Sequence, residues 1–175
     1  MTYEIKALKT FHGHDGYGWE GKLYHDGKAV ALVVEDGWGG ELQFHWNDHD
    51  APRVATKGVD YEGQPMTYRD TPEESTFRTH CLGLPKWENF GGKMVHASMD
   101  VAMGDMVDTK LAEKEVKKLL KKAAIYDGKD IRTFNAPIDQ SGVRDHLAKK
   151  CPDAIILNDL PFSEVVEFYE GLQQK

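Results

Sequence analysis

Histidine and aromatic side chains lie beside glycines at two places in the first forty residues, where they could do chemistry. An aromatic ring next to open glycine backbone can stack on a ligand, and an imidazole can bind a ligand or transfer a proton. We therefore predict a ligand- or partner-binding site formed by His12, His14, Asp15, Tyr17, Asp36 and Trp38. A structural interpretation is the alternative: the glycines permit tight turns, while Tyr17 and Trp38 cover the end of a sheet.

A second group of histidines comprises His25, His45 and His49, with Asp48 and Asp50 beside them. Three nitrogen ligands and an open fourth position would suit a catalytic zinc ion, which makes a metal-dependent hydrolase one alternative function. The spacing of these histidines matches no known ligand motif, however. His45 also lies on the polar face of its expected strand, where a solvated side chain is the simpler interpretation.

Three other patterns are better explained by packing, solvation or turn formation. Cys81 follows His80 directly, and adjacent helical residues point about 100° apart, so the two would not act as nucleophile and base. The lysines within 114–122 alternate with apolar residues at helical spacing, which is typical of the solvated side of an amphipathic helix. The glycines after Asp36 lead into a strand rather than a helix, so they do not form a P-loop.

The elements that would position these residues are strands joined by Asp-Gly turns. Asp-Gly favours the type I′ hairpin turn, which requires positive φ at both central residues. It occurs at 15–16, 26–27 and 36–37, and the intervening segments predict antiparallel strands at Tyr3–Thr10, Gly18–His25, Lys28–Glu35 and Glu41–Trp46. In such a meander the first and third turns lie at one end of the sheet, and the second turn lies at the other end with His25.

The remaining sequence predicts mainly helices. Residues 47–70 predict irregular structure with one short strand around 53–57. The next element is a helix that ends near Gly83, and its start is marked by the capping-box pattern of Thr71, Pro72 and Glu74. The helix predicted at 99–122 has an apolar stripe that changes face near 108–109, which predicts a kink or two helices. Further expected elements are a strand at 93–97, a hairpin around Asp127-Gly128, a helix at 141–150, a strand at 154–157 and a helix after Ser163.

The order of these elements predicts an α+β fold, with an N-terminal four-stranded antiparallel β-meander followed by a mainly helical half with a β-hairpin and one further strand. The length of 175 residues fits a single domain, 1–175. A subdivision into a β-rich part, 1–98, and a helix-rich part, 99–175, is the alternative.

Composition narrows the classes of function. The net charge of −7 argues against direct nucleic-acid binding, because such proteins need basic surfaces for phosphate. The two cysteines are far apart and without CxxC spacing, which argues against a disulfide framework and suits a reducing cytoplasm. No apolar run reaches the roughly 20 residues of a membrane helix, so no membrane association is expected. No cofactor is expected either.

The first part of this chain resembles small uncharacterised proteins encoded by bacteriophages and prophages. The resemblance begins in the segment from Phe11 to Trp19 and continues in residues 23–28 and 35–40. Residues 117–126 and the sequence Phe134-Asn135-Ala136-Pro137 are similar to the second half of those proteins. The resemblance implies a fold and a genomic setting but no activity. Small phage accessory proteins often bind and inhibit a host system, including antiviral defence.

The lack of a convincing catalytic arrangement predicts a non-enzymatic binding protein. The resemblance implies that it is encoded by a phage and inhibits a bacterial complex, such as one of antiviral defence, in the cytoplasm of the host. Its partner would then be a host protein or protein complex. A binder of a small molecule or nucleotide at the His- and Trp-rich end of the sheet is one alternative function. The metal-dependent hydrolase is the other.

Overall fold

The first strands form the four-stranded antiparallel sheet that the Asp-Gly turns predict. The computed structural model describes residues 2–14, 16–60, 62–89 and 91–173. In it the strands β1 to β4 pair in sequence order, and they span Tyr3–His12, Tyr17–His25, Lys28–Glu35 and Gln43–Trp46. Later hairpins and four α-helices follow this sheet within the described residues, so the predicted α+β class is confirmed.

The turns of this sheet differ from one another. Asp26 and Gly27 have φ angles of 45° and 84°, in agreement with the predicted type I′ turn. Between β3 and β4, by contrast, Gly37 has positive φ but Asp36 does not, and the loop continues until β4 starts at Gln43 rather than at the predicted Glu41. The side chain of Asp36 explains the wider loop, because its carboxylate accepts hydrogen bonds from the loop itself, as detailed below.

Residues 47–70 contain more strand than predicted. Strands β5 (Val54–Val59) and β6 (Pro65–Asp70) pair as an antiparallel hairpin. Pro65 lacks an N–H donor, but it stands at the first position of its strand, where a proline is tolerated. The turn is held by Asp60, whose Oδ1 accepts hydrogen bonds from the backbone N–H groups of Glu62 and Gln64.

The first helix, α1 (Pro72–Leu82), has the predicted capping box. Thr71 Oγ1 accepts a hydrogen bond from Glu74 N, while the Glu74 side chain accepts one from Thr71 N. Gly83 caps the other end, as expected. Two short paired strands follow, β7 (Trp87–Glu88) and β8 (Met94–Val95), of which the sequence predicted only the second.

The long helix α2 (Met99–Leu119) is continuous, so the alternative of two separate helices meeting near 108–109 is wrong. The chain divides into two compact units, Met1–Val107 and Asp108–Lys175, and their boundary lies inside this helix. Met103 and Val107 are buried in the first unit, whereas Ala112 and Val116 belong to a hydrophobic cluster of the second. The apolar stripe changes face because the two halves of the helix serve different cores.

Within the first unit, the largest fully buried side chains include Ile5, Leu23 and Val33 of the sheet and Phe77 of α1. The Phe44 and Trp46 rings are tilted relative to the Phe77 ring, with centroids 6.2 and 6.1 Å away, so α1 packs against the sheet through this aromatic group.

The second unit is built around a three-stranded sheet with the order β10-β9-β11. Its strands are β9 (Ala123–Tyr126), β10 (Ile131–Phe134) and β11 (Ile155–Ile156), and its helices are α3 (Val143–Lys150), a 3₁₀ turn (Leu157–Asp159) and α4 (Phe162–Gln173). Ala124 packs with α2 and α4, while Ala123 and Ile125 pack with Leu147 of α3. The central strand is therefore buried on both faces.

None of the helices among the described residues combines the length and the apolar content needed to cross a lipid bilayer.

Candidate interaction site

The loop after β1 and the loop after β3 meet at one end of the N-terminal sheet, as the meander predicts. Gly13 lies against Gly37 at this end: a Cβ atom added to Gly13 would lie 2.5 Å from the Cα atom of Gly37. Only glycine fits at Gly13, because any side chain would collide with the opposing backbone. Gly37 also has a φ of 76°, which disfavours other residues.

Two aromatic contacts arise where these loops meet. The rings of His14 and Trp38 are parallel to within 6°, with centroids 4.6 Å apart, and the rings of His12 and Tyr17 are tilted with centroids 4.6 Å apart. Tyr17 remains 71% exposed and Trp38 63% exposed. We refer to His12, His14, Tyr17 and Trp38 together as the aromatic surface.

The loop that carries Trp38 is fixed by carboxylates. Asp36 Oδ1 accepts a hydrogen bond of 3.0 Å from Trp38 N, and Asp36 Oδ2 accepts one of 3.3 Å from Gln43 Nε2. Glu35 Oε1 accepts a hydrogen bond of 2.9 Å from Gly37 N. Side-chain acceptors of this kind stabilise a turn whose backbone groups would otherwise bond only to water. Trp38 is thus presented by an ordered loop.

Phe11 extends this end of the sheet. Its ring lies against Gly18 on the neighbouring strand, in the space that a Cβ atom would fill, and the side chain is 40% exposed. The glycine therefore leaves room for the ring beside the β2 backbone. Like Tyr17 and Trp38, this ring presents apolar area to the solvent.

Of the six residues predicted as a binding site, the structure describes five and brings them to one end of the sheet. Asp36 acts there as a loop acceptor, and the other four form the aromatic surface. Asp15 lies outside the described residues. The arrangement can stack on planar or cationic groups, and it places imidazoles beside the indole and the phenol.

The histidines of the alternative metal site do not come together. His25 Nδ1 is 2.6 Å from Glu73 Oε1, His45 is exposed on β4 opposite Leu32, and His49 Nε2 is 3.3 Å from Asp50 Oδ2. Among the described residues, no group of three or more His, Cys, Asp and Glu side chains could hold a metal ion. The expectation that these three histidines converge is therefore not met.

A polar network that the sequence did not predict surrounds His25. Glu73 Oε1 also accepts a hydrogen bond of 3.0 Å from Tyr3 Oη, and Glu73 N donates one of 2.9 Å to Asp48 Oδ2. The rings of Tyr3 and His25 stack with centroids 4.5 Å apart. Burial and the bond to Glu73 raise the pKa of Tyr3, so its hydroxyl stays protonated and donates.

This network joins the sheet to the start of α1. Within the described residues His25 Nε2 is buried and makes no hydrogen bond, and Asp26 Oδ2 lies 3.6 Å from it. Glu73 lies in the first turn of α1, where a carboxylate also complements the helix dipole. The sequence could not indicate the network, because Tyr3 and Glu73 are 70 positions apart.

The possible nucleophile Cys81 is part of the core, as its position on α1 predicts. The side chain is 1% exposed, and burial raises the pKa of its thiol to about 12. A nucleophilic cysteine needs a lowered pKa and solvent access. Burial has the opposite effect on the pKa of the neighbouring His80, which it lowers, because the charged form of a histidine is the protonated one.

Comparison of this chain with protein-family models, with curated proteins and with solved structures gave no match.

Proposed function

We propose that this chain is a non-enzymatic binding protein that captures another protein through the aromatic surface. The observation that carries the proposal is the exposure of Tyr17 at the start of β2, at 71%, and of Trp38 on the loop between β3 and β4, at 63%. Tyrosine and tryptophan dominate the binding energy of protein interfaces, because each buries a large apolar area and loses little conformational freedom. Binding residues also favour loops that a rigid scaffold positions.

The order of the loops supports this proposal. The Gly13 and Gly37 backbones are in contact, and the carboxylates of Glu35 and Asp36 accept backbone N–H groups within the second loop. A surface that is ordered before binding loses less entropy when its partner docks. The His14 ring further restricts Trp38 by stacking on one face of its indole.

The same exposure favours a protein over a small molecule or nucleotide as the ligand. A small-molecule site is usually a concave pocket that buries most of its ligand. Tyr17 and Trp38 instead keep most of their own surface in solvent. The resemblance to phage-encoded proteins extends the proposal to the partner: a bacterial host protein or complex, including one of antiviral defence, in the host cytoplasm.

Affinity capture with matched variants tests the proposed function. Immobilised wild-type protein would be incubated with bacterial lysate beside Trp38→Ala and Met94→Ala, and the retained proteins would be identified by mass spectrometry. Met94 is a suitable control, since it is 58% exposed in the same unit but lies on the separate β7–β8 pair. We expect the wild type and Met94→Ala to retain the same protein and Trp38→Ala to lose it. Equal retention by Trp38→Ala would contradict the proposal.

A further inference from the structure

Two sequence segments carry the residues of the aromatic surface, and these segments contain acidic residues but neither lysine nor arginine. Residues 10–21 contain two acidic residues and residues 29–52 contain five, and neither segment contains a basic residue other than histidine. Those closest in sequence to the aromatic residues are Asp15, Glu20, Glu35, Asp36 and Glu41. Glu20 is paired with Lys9 across the β1–β2 ladder.

Three of these carboxylates lack a basic partner within the described part of the chain. Among the residues that the structure describes, Glu35 and Asp36 accept hydrogen bonds only from neutral amide groups, and the exposed Glu41 makes neither a hydrogen bond nor an ion pair. Glu41 follows Trp38 by three positions, so their Cα atoms are at most about 11 Å apart. The carboxylates of Asp36 and Glu41 therefore place negative charge near the exposed indole.

The distribution of charge along the chain agrees with this local imbalance. Residues 1–107 contain 17 acidic and 10 basic residues, whereas residues 108–175 contain twelve of each. The net charge of −7 thus belongs entirely to the unit that carries the aromatic surface. An acidic field of this kind attracts basic partners and repels acidic ones, including nucleic acids.

We propose that the aromatic surface recognises an arginine-bearing segment of its partner protein; this rests on the proposed function above. A guanidinium group is planar and always charged, so it can stack on the open face of an indole or phenol ring while donating hydrogen bonds to carboxylates. Trp38 and Tyr17 supply the rings, and Asp36 and Glu41 supply the carboxylates. Arginine fits this combination better than lysine, whose ammonium group is more strongly hydrated and does not stack.

Titration with defined peptides tests the inference independently of the natural partner. Hexaarginine, hexalysine and hexaglutamate would be added separately to ¹⁵N-labelled protein in 50 mM NaCl, and the indole N–H signals and backbone amides would be followed by NMR. We expect hexaarginine to shift the Trp38 indole and the amides near Tyr17, with an affinity at least about threefold above that of hexalysine. Raising NaCl to 200 mM should weaken binding about threefold or more. Hexaglutamate should cause no shift.

Charge-matched variants make the test specific for this end of the sheet. Asp36→Asn with Glu41→Gln should weaken hexaarginine binding about fivefold, and Trp38→Ala about tenfold. The control Glu62→Gln with Glu88→Gln removes the same charge from exposed positions on other elements and should leave the affinity within about twofold of the wild type. Thermal unfolding of each variant would show that it remains folded.

Several results would overturn the inference. The first is equal affinity for hexaarginine and hexalysine. The second is a loss of hexaarginine affinity in the control pair as large as that in Asp36→Asn with Glu41→Gln. The third is that hexaarginine leaves the NMR signal of the Trp38 indole unshifted. These outcomes differ from a failure of the proposed function. If Trp38→Ala loses the natural partner but hexaarginine does not bind, the chain is a binding protein whose partner is not recognised through arginine.

Discussion

The imidazole of His14 lies parallel to the indole of Trp38, with ring centroids 4.6 Å apart, although the two residues belong to different loops. The stack forms because the neighbouring Gly13 and Gly37 allow the two backbones to come into contact. The exposed tryptophan is thereby held by a residue from another part of the sheet. This relationship makes the geometry of the aromatic surface depend on a contact between two glycines.

Gly13→Ala should separate the two loops. The added methyl group would overlap the Gly37 backbone, which cannot yield as a flexible side chain would, and we expect a loss of about 1–3 kcal/mol in the free energy of unfolding. Urea denaturation measures this loss. Capture of the partner should weaken as well, because His14 would no longer stack on Trp38.

Gly40→Ala is the matched control for this substitution. Gly40 lies in the same loop as Gly37, but a Cβ atom there would meet open space, and its φ is not positive. Its free energy of unfolding should stay within about 0.5 kcal/mol of the wild type. Equal effects of the two substitutions would show that the contact between the loops does not matter for stability.

Arg78→Ala should strongly destabilise the first unit. The guanidinium of Arg78 forms a bidentate pair with Asp70, at 2.7 and 3.2 Å, and lies 3.7 Å from the centroid of the Tyr68 ring. Asp70 is 2% exposed, so loss of Arg78 would leave a buried carboxylate without its charge partner, at a cost of about 3–5 kcal/mol. Arg69→Ala, on the exposed side of β6, should change stability by less than about 0.5 kcal/mol. Similar unfolding midpoints for both variants would contradict this prediction.

Ala7→Gly should stabilise the protein. Ala7 has a φ of 52° at an irregularity in the β1–β2 ladder, and an alanine in this region carries strain of about 1–2 kcal/mol that glycine relieves. The greater freedom of glycine in the unfolded chain offsets part of the gain, so we expect a net increase of about 0.5–1 kcal/mol in denaturant unfolding. At the exposed strand position Ala55, where φ is not positive, glycine should instead lower stability by about 0.5–1 kcal/mol.

The two cysteines should react differently with iodoacetamide. The thiol of Cys81 is protonated at pH 8, because burial raises its pKa to about 12, and it is also inaccessible. Cys151 is half-buried at the end of α3. Mass spectrometry of the native protein should therefore show alkylation of Cys151 well before that of Cys81, and both should react in denaturant. Rapid native labelling of Cys81 would indicate that α1 opens readily.

The features that could be predicted from the sequence are those that depend on residues close to one another along the chain. Asp26-Gly27 forms its type I′ turn, and Thr71 and Glu74 form their capping box, because both depend on local chemistry. The position of Trp38 beside His14 could also be foreseen, since an antiparallel meander returns alternate turns to the same end.

Features that depend on distant residues could not be predicted in this way. His25 was considered as a metal ligand, yet its environment is set by Tyr3 and by Glu73 on α1. The apolar stripe of α2 changes face near 108–109, and this pattern alone does not reveal that the two halves of one helix pack into different cores. Sequence periodicity indicates which face of a helix is apolar, but it does not indicate which other helices or strands pack against that face.

The division of α2 between two cores has a consequence for amide hydrogen exchange. The helix is continuous from Met99 to Leu119, but its buried residues Met103 and Val116 are protected by different units. If the second unit opens, the segment after Val107 loses its apolar cover, and a free helical end of about twelve residues is only marginally stable in water. Amides at the two ends of one helix should therefore exchange at different rates, and each end should report the opening of its own unit.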